Sequence, residues 1–270
     1  MASRHPDPSF QTIRLRTDDD VAWLSLARPE HGNAINAAMA AELAQAAQQL
    51  EEQPELACVV LTGEGSHFCL GGDLHEFSAA GEQLPSYVHR MLTDLHRAIH
   101  SLVHMRPITI AAVNGTAAGA GLSLLCATDL AISTESARYT LAYTRVGLSP
   151  DGGSTWLLPR IIGTRRAREM AYTNRLLNAT EALEWGLVNH VAQDESLEDE
   201  VNKALDQIKA ASLPAQLGAR ALLRESGHNQ LDTQMELEGH NIVNAARRPD
   251  AKEGITAQLE KRPPAFAHTS

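Results

Sequence analysis

Three short apolar runs set the limits on what this chain can become: ACVVLTG at 57–63, ITIAAVNG at 108–115 and DLAIST at 129–134. Their aliphatic residues stand side by side instead of alternating with polar ones, and turn-forming residues bound them. A strand with both faces covered reads this way, whereas a strand with one wet face alternates. Between the runs lie segments of helical length, an Ala-rich stretch at about 35–53 and another at roughly 85–104. Strands alternating with helices predict an α/β layered sheet joined by right-handed crossovers.

Two further strands open the chain, QTIRLRT at 11–17 and VAWLSLAR at 21–28, with an acidic turn between them. Pro29 ends the second, and GAGLSLLCA reads as a helix of small residues. From Gly163 onward the pattern is expected to be helical. Ser196 and Asp199 form an S-x-x-D cap signal ahead of VNKALDQIKAASL. Pro214 starts another helix, and two more run to about Arg262. These features divide the chain into an expected core over 1–195 and a helical region over 196–270, packed on the sheet or on a neighbouring subunit. The tail PPAFAHTS is expected to fray.

The 270 residues are 43% hydrophobic and 21% charged, a balance suited to a buried core of this size without disulfide staples. Cys58, Cys69 and Cys126 lack paired metal or redox spacing, which fits a reducing compartment and hence the cytoplasm. MASRHPDPSF has no apolar signal core, and the nearly uncharged stretch from Pro107 to Thr128 is broken by Asn114 and glycines. A strand, a turn and a buried helix account for that stretch better than a membrane span. The net charge of −10 argues against nucleic acid as a partner, while leaving room for a local basic pocket around one anionic ligand.

Four constellations carry chemistry. In HFCLGGDL (67–74) two glycines let backbone approach a ligand, or simply make a tight connection with Asp73 as a helix cap. His67, Cys69 and His75 lack a fourth metal ligand there, so no metal is expected. In AAVNGTAAGAGLSLLCATD (111–129) a helix opens on Gly119, Ala120 and Gly121, giving N–H groups suited to an oxyanion or allowing close packing. His96, His100 and His104 share one helical face, either a solvated face or a set of bases. Finally, LSPDGGSTW (148–156) is a ready-made turn, in which Asp151 is a turn former or a carboxylate placed for chemistry.

Together these pieces resemble the crotonase, or enoyl-CoA hydratase/isomerase, superfamily. The matching segments are LARPEHGNAIN (26–36), FCLGGDL (68–74), AAVNGTAAGAG (111–121), VGLSPDGGSTWLLPRIIG (146–163) and EALEWGLVNHV (181–191), in the family's order. The resemblance implies a superhelix of ββα units with a C-terminal helical trimerisation region, assembled as a homotrimer or a dimer of trimers. It implies an acyl-CoA substrate, no cofactor beyond the coenzyme A of the substrate itself, and an oxyanion hole from the backbone N–H groups of Gly72 and Ala120. CoA would lie along Arg28, Ala34, Asp73, Leu74 and His75, with Lys261 reaching phosphates from a neighbouring subunit.

Hydratases of this family hold water with two glutamates, and Ser123 and Tyr143 stand at the matching acyl-pocket positions here. Neither supplies a base at neutral pH. The resemblance therefore puts weight on Asp151, matched to the catalytic carboxylate of ring 1,2-epoxyphenylacetyl-CoA and Δ3,Δ2-enoyl-CoA isomerases. Such a carboxylate takes a proton beside the thioester and returns it two carbons away. Alternatives are an atypical hydratase or thioester hydrolase, a CoA-binding paralogue without turnover, and a 4-chlorobenzoyl-CoA dehalogenase-like enzyme. Residues 170–188 resemble the dehalogenases, whose aspartate is a nucleophile, but Tyr143 replaces their tryptophan and His96 is offset from their histidine by one place.

Overall fold

The apolar runs do become the middle of a sheet. In the computed structural model, which describes residues 10–266, β1 (Ile13–Asp18) and β2 (Val21–Leu26) form an antiparallel hairpin. After β2 the strands β3 (Cys58–Gly63), β5 (Ile108–Val113), β7 (Leu130–Thr134) and β10 (His190–Ala192) add in parallel, giving the order β1-β2-β3-β5-β7-β10.

Consecutive residues of β3 serve opposite faces, as a strand's period of two requires. Val59 and Leu61 join the larger core with Leu43 and Leu50 of α1 (Ala37–Glu51) and Leu95 and Leu102 of α3 (Leu84–His104). Cys58 and Val60 face the other way, with Ile110 of β5, against Val201, Leu205 and Ile208 of α8 (Leu197–Lys209). Both faces are covered, which is why these runs show no polar alternation.

A second, smaller sheet was not legible in the residue pattern. Its strands are β4 (His67–Cys69), β6 (Thr116–Ala118), β8 (Arg138–Thr140) and β9 (Leu177–Asn178), in the order β4-β6-β8-β9. Strands of two or three residues carry too few positions for a period. The expected helical pattern after Gly163 holds apart from two short strands it did not include, β9 and β10, between which lies α7 (Ala179–Trp185), with α5 (Ser154–Ile162) and α6 (Thr164–Thr173) before them. The Ser196 cap is also corrected. A 3-10 turn over Asp194–Ser196 leads straight into α8, and the Ser196 side chain makes no capping bond.

The stretch from Pro107 to Thr128 holds β5, β6 and the buried α4 (Ala120–Cys126). Among the described residues no helix is long and apolar enough to cross a membrane. The remaining elements are α2 (Leu74–Ala80), α9 (Leu213–Ser226), α10 (Leu231–Ala246) and α11 (Pro249–Glu260). α9 and α10 bury no residue completely within one chain, and Leu231, Ile242 and Leu259 are exposed. α9 is held by Arg220, whose guanidinium bonds the Asp129 carboxylate and the carbonyls of Leu102, Val103 and Met105 at the end of α3. Of the expected frayed tail, residues 267–270 lie outside the described residues. Ala265 is tied, donating its N–H to Glu253 at 2.7 Å.

Candidate active site

The site begins with a loop that pins itself. Asn33 is wholly buried; its Oδ1 accepts from Arg28 N at 2.9 Å, and its Nδ2 donates to the carbonyls of Glu64 and His67. The Arg28 guanidinium bonds the Ala34 carbonyl and, at 2.9 Å, the Asp73 carboxylate. Asp73 also accepts from His75 N and Glu76 N, so it caps α2 as well. Burial works to raise the Asp73 carboxyl, but the Arg28 bond, the two N–H bonds and the Arg28 charge together hold it below the usual range. Arg28 thus uses two of its guanidinium donors inside the chain, tying the first two motifs together across 45 positions.

The two motifs also meet through backbone. Ile35 N donates to Gly71 O at 2.7 Å and Asp73 N donates to Ile35 O at 2.9 Å, a parallel bridge between Ile35 and Gly72. Such a bridge uses the groups flanking Gly72 and turns its own N–H away. Gly71 has φ +97°, and a Cβ on it would stand 3.0 Å from Ala118 O and 3.4 Å from Ala120 N. The Gly71–Gly72 loop is therefore pressed against the start of α4, where Ala120 contributes a first-turn N–H. Among the described residues neither Gly72 N nor Ala120 N has a hydrogen-bond acceptor. Two free donors beside one another are the makings of an oxyanion site.

One turn along α4, Ser123 reaches the 146–163 segment. Its hydroxyl donates to the Asp151 carbonyl at 3.1 Å and lies 3.2 Å from the Tyr143 hydroxyl. Ser154 supplies two more donors to the same carbonyl, Oγ at 2.8 Å and N at 3.1 Å. Tyr143 donates its phenol to the Asp151 carboxylate. Burial, followed by the charge of Asp151, pushes that phenol far above its ordinary value. Gly152 and Gly153 follow at φ +59° and +73°, and a Cβ on Gly152 would meet Ser123 Cβ at 2.8 Å. Asp151 is thus gripped at its carbonyl by two serines and at its carboxylate by one tyrosine.

The structure gathers Asp151, Ser123 and Tyr143, and separately Gly72 with Ala120 and Arg28 with Ala34 and Asp73. Leu74 and His75 are exposed on the first turn of α2, and Lys261 is exposed at the end of α11, entering none of these bonds. The neighbouring Arg262 is bonded to Glu253 and Glu260. The histidine row lies along an exposed face of α3, with the rings of His100 and His104 stacked at 4.0 Å. Its first member, His96, accepts from Gly152 N at 3.4 Å. A cavity of about 540 Å3 opens beside this row, lined by His96, His100, Trp156, Arg224 and His228 among others. Four-residue spacing placed the histidines on one face, but only the return of residues 152–156 and 224–228 shows what faces them. Among the described residues no three His, Cys, Asp or Glu side chains gather as a metal-holding group.

Among the described residues two backbone donors without acceptors thus lie at the start of α4, and one turn along the same helix Ser123 holds the turn that carries a hydrogen-bonded carboxylate. The chain belongs to the enoyl-CoA hydratase/isomerase family, whose model matches residues 16–269. It is 38% identical to the 1,2-epoxyphenylacetyl-CoA isomerase of Escherichia coli (strain K12), over 95% of this chain and 98% of that protein. It is 34% identical to 4-chlorobenzoyl coenzyme A dehalogenase-2 of an Arthrobacter species, over 90% and 88% of the two chains. The crystal structure of an enoyl-CoA hydratase from Polaromonas sp. JS666 matches with a TM-score of 0.88 at 33% identity, over 94% of this chain and 99% of that one. The fold is the crotonase fold, and the protein is an acyl-CoA enzyme of this family.

Proposed function

We propose that this enzyme moves a double bond, or isomerises a ring, in an acyl-CoA thioester with Asp151 as the proton carrier. The observation that carries the reading is the bonding of Ser123 and Tyr143 to each other and to Asp151. Those positions would hold the two water-activating glutamates of a hydratase. Here they hold hydroxyls that serve one aspartate instead.

In the proposed step Asp151 takes a proton from the carbon next to the thioester, and the electron pair spreads into the carbonyl. The N–H groups of Gly72 and Ala120 receive the negative oxygen, where fixed donors need no reorganisation. Asp151 then returns the proton two carbons away, so the product has the mass of the substrate. Such a shuttle consumes no cofactor. CoA would run along Arg28, Ala34 and the Asp73–His75 edge, with Lys261 acting from a neighbouring subunit of a homotrimer or dimer of trimers. Three buried unpaired thiols favour the cytoplasm as its setting.

A second reading is favoured by one contact. His96 lies against the turn that carries Asp151, and dehalogenase relatives share a third of this sequence. In that reading Asp151 attacks an aromatic ring as a nucleophile.

The test is incubation with 3-enoyl-CoA, 2-enoyl-CoA and 4-chlorobenzoyl-CoA, with products identified by mass and NMR. A moved double bond at unchanged mass supports the isomerase; gain of water or release of chloride overturns it. Asp151→Asn should leave thioester binding intact and lower kcat by about a hundredfold to ten-thousandfold.

A further inference from the structure

The bond between Gly152 N and His96 Nε2 gives the histidine row one member with work to do. Gly152 is buried and cannot take a side chain, since its φ is +59° and a Cβ would stand 2.8 Å from Ser123 and 3.0 Å from Ile99. Its amide belongs to the peptide unit whose carbonyl is that of Asp151. Ser123 and Ser154 hold the oxygen end of that peptide, and His96 holds the nitrogen end at 3.4 Å. An acceptor at Nε2 requires the neutral ring with its proton on Nδ1.

We infer that His96 is a positioning residue for Asp151, acting through the Gly152 amide, and that the enzyme needs His96 uncharged. The inference rests on the reading of Asp151 as proton carrier. Protonation converts Nε2 from acceptor to donor, so two N–H groups oppose each other and the clamp opens at its nitrogen end. The peptide plane is then free to rock, and with it the aspartate.

The groups facing this ring are mixed in charge. On α3 they are His100, with His104 stacked on it; the Asp94–Arg97 pair lies on neighbouring positions of the same helix. From α5 comes Trp156, covered by Arg160 at 3.7 Å. From α9 and the turn after it come Arg224, Glu225 and His228, the last stacked on Trp156 at 5.6 Å. Across the turn stands Asp151.

The experiment compares the pH profile of kcat for the wild-type enzyme, His96→Gln, His96→Leu and Asp151→Asn, with a 3-enoyl-CoA as probe. Glutamine carries an amide oxygen that can stand in for Nε2 as acceptor and does not titrate. The wild-type kcat should fall on the acid side by about tenfold, to the level of the clamp-less variant. His96→Gln should keep a kcat within about fivefold of wild type at pH ~8 and lose this acid limb, its own fall beginning at least about one unit lower. His96→Leu should lower kcat about tenfold at pH ~8, with KM changed less than about twofold, and should lack the acid limb as well. Nitrogen-15 NMR of the native enzyme above pH ~7.5 should show the Nδ1–H tautomer at His96. Identical acid limbs in wild type and His96→Gln, a His96→Leu kcat equal to wild type, or the opposite tautomer would each overturn the inference. Loss of turnover in Asp151→Asn alongside identical limbs confines that failure to His96. Retained turnover in Asp151→Asn overturns the reading of Asp151 and this inference with it.

Discussion

Ala120 and Ser123 lie one turn apart on α4, so the free N–H beside Gly71 and the hydroxyl holding the Asp151 carbonyl move as one body. All seven residues of the helix that carries them are buried. The donor and the hydroxyl that holds Asp151 are therefore registered to each other by covalent geometry, and a hydrogen bond carries that register on to the Asp151 carbonyl.

Gly121 tests that registration. A Cβ there would stand 2.2 Å from the Cys69 carbonyl oxygen, a backbone atom that cannot turn aside. Gly121→Ala should push α4 off β4, lowering stability by about 1–3 kcal/mol. It should lower kcat more than tenfold in the protein that remains folded, since both halves of the site shift together. Denaturant melts and kcat on the same preparation check this.

Tyr143→Phe removes the phenol that bonds the Asp151 carboxylate. The carboxylate then keeps its place only through backbone, and kcat should fall about tenfold with little change in KM. Alkali gives a second readout. Burial chiefly pushes up the phenols of Tyr87 (to about 12), Tyr139 and Tyr143. A folded value above the unfolded one means the stabilisation is complete below pH ~10 and is lost as pH rises past it. Phenolate absorbance from these three tyrosines should therefore appear together with unfolding, and Tyr143→Phe should remove part of that alkaline sensitivity.

Arg28 and Asp73 form an ion pair with only 11% and 4% of their side chains exposed. Breaking such a pair strands one charge, so Arg28→Met should cost about 3–5 kcal/mol. Adding Asp73→Asn should recover a large share of it. Since the folded Asp73 carboxyl is held low, its contribution is present above the unfolded value near pH ~4 and is lost as pH falls below it. Acid denaturation of Asp73→Asn should accordingly start from a lower plateau and fall less steeply.

Arg220 closes the end of α3 and bonds Asp129 with the same guanidinium. Lysine cannot reproduce that fork. Arg220→Lys should loosen α9 first, seen as faster amide exchange over Leu213–Ser226 while β3 and β5 stay protected. Equal protection in the variant would show that α9 is held by other contacts.

The elements legible in the sequence were those long enough to show a period. β3, β5, β7, α1 and α3 fall within a few residues of their expected bounds because burial on two faces, or on one stripe, leaves a repeating mark. The small sheet leaves none, because β9 has two residues and β4, β6 and β8 have three. Ser196 carried the right motif and sits at the N-cap position, but the chain enters α8 through a 3-10 turn and its side chain makes no capping bond. Asp73 shows why alternatives at one residue need not compete, since a helix cap and the partner of Arg28 are the same carboxylate. Asp151, Ser123 and Tyr143 were named by resemblance, and their mutual bonds were not readable from spacings of 8 and 28 residues. The contact of His96 with Gly152 spans 56 positions and depends on how a loop returns.

Cys58, Cys69 and Cys126 are buried, and that burial pushes each thiol up to about 12. At neutral pH the native chain offers almost no thiolate to an alkylating reagent. Cys58 is in β3, Cys69 ends β4 and Cys126 ends α4, so each thiol sits in a different part of the frame around the site. The order in which they label under mild denaturant is a built-in clock, reading out which part of that frame opens first.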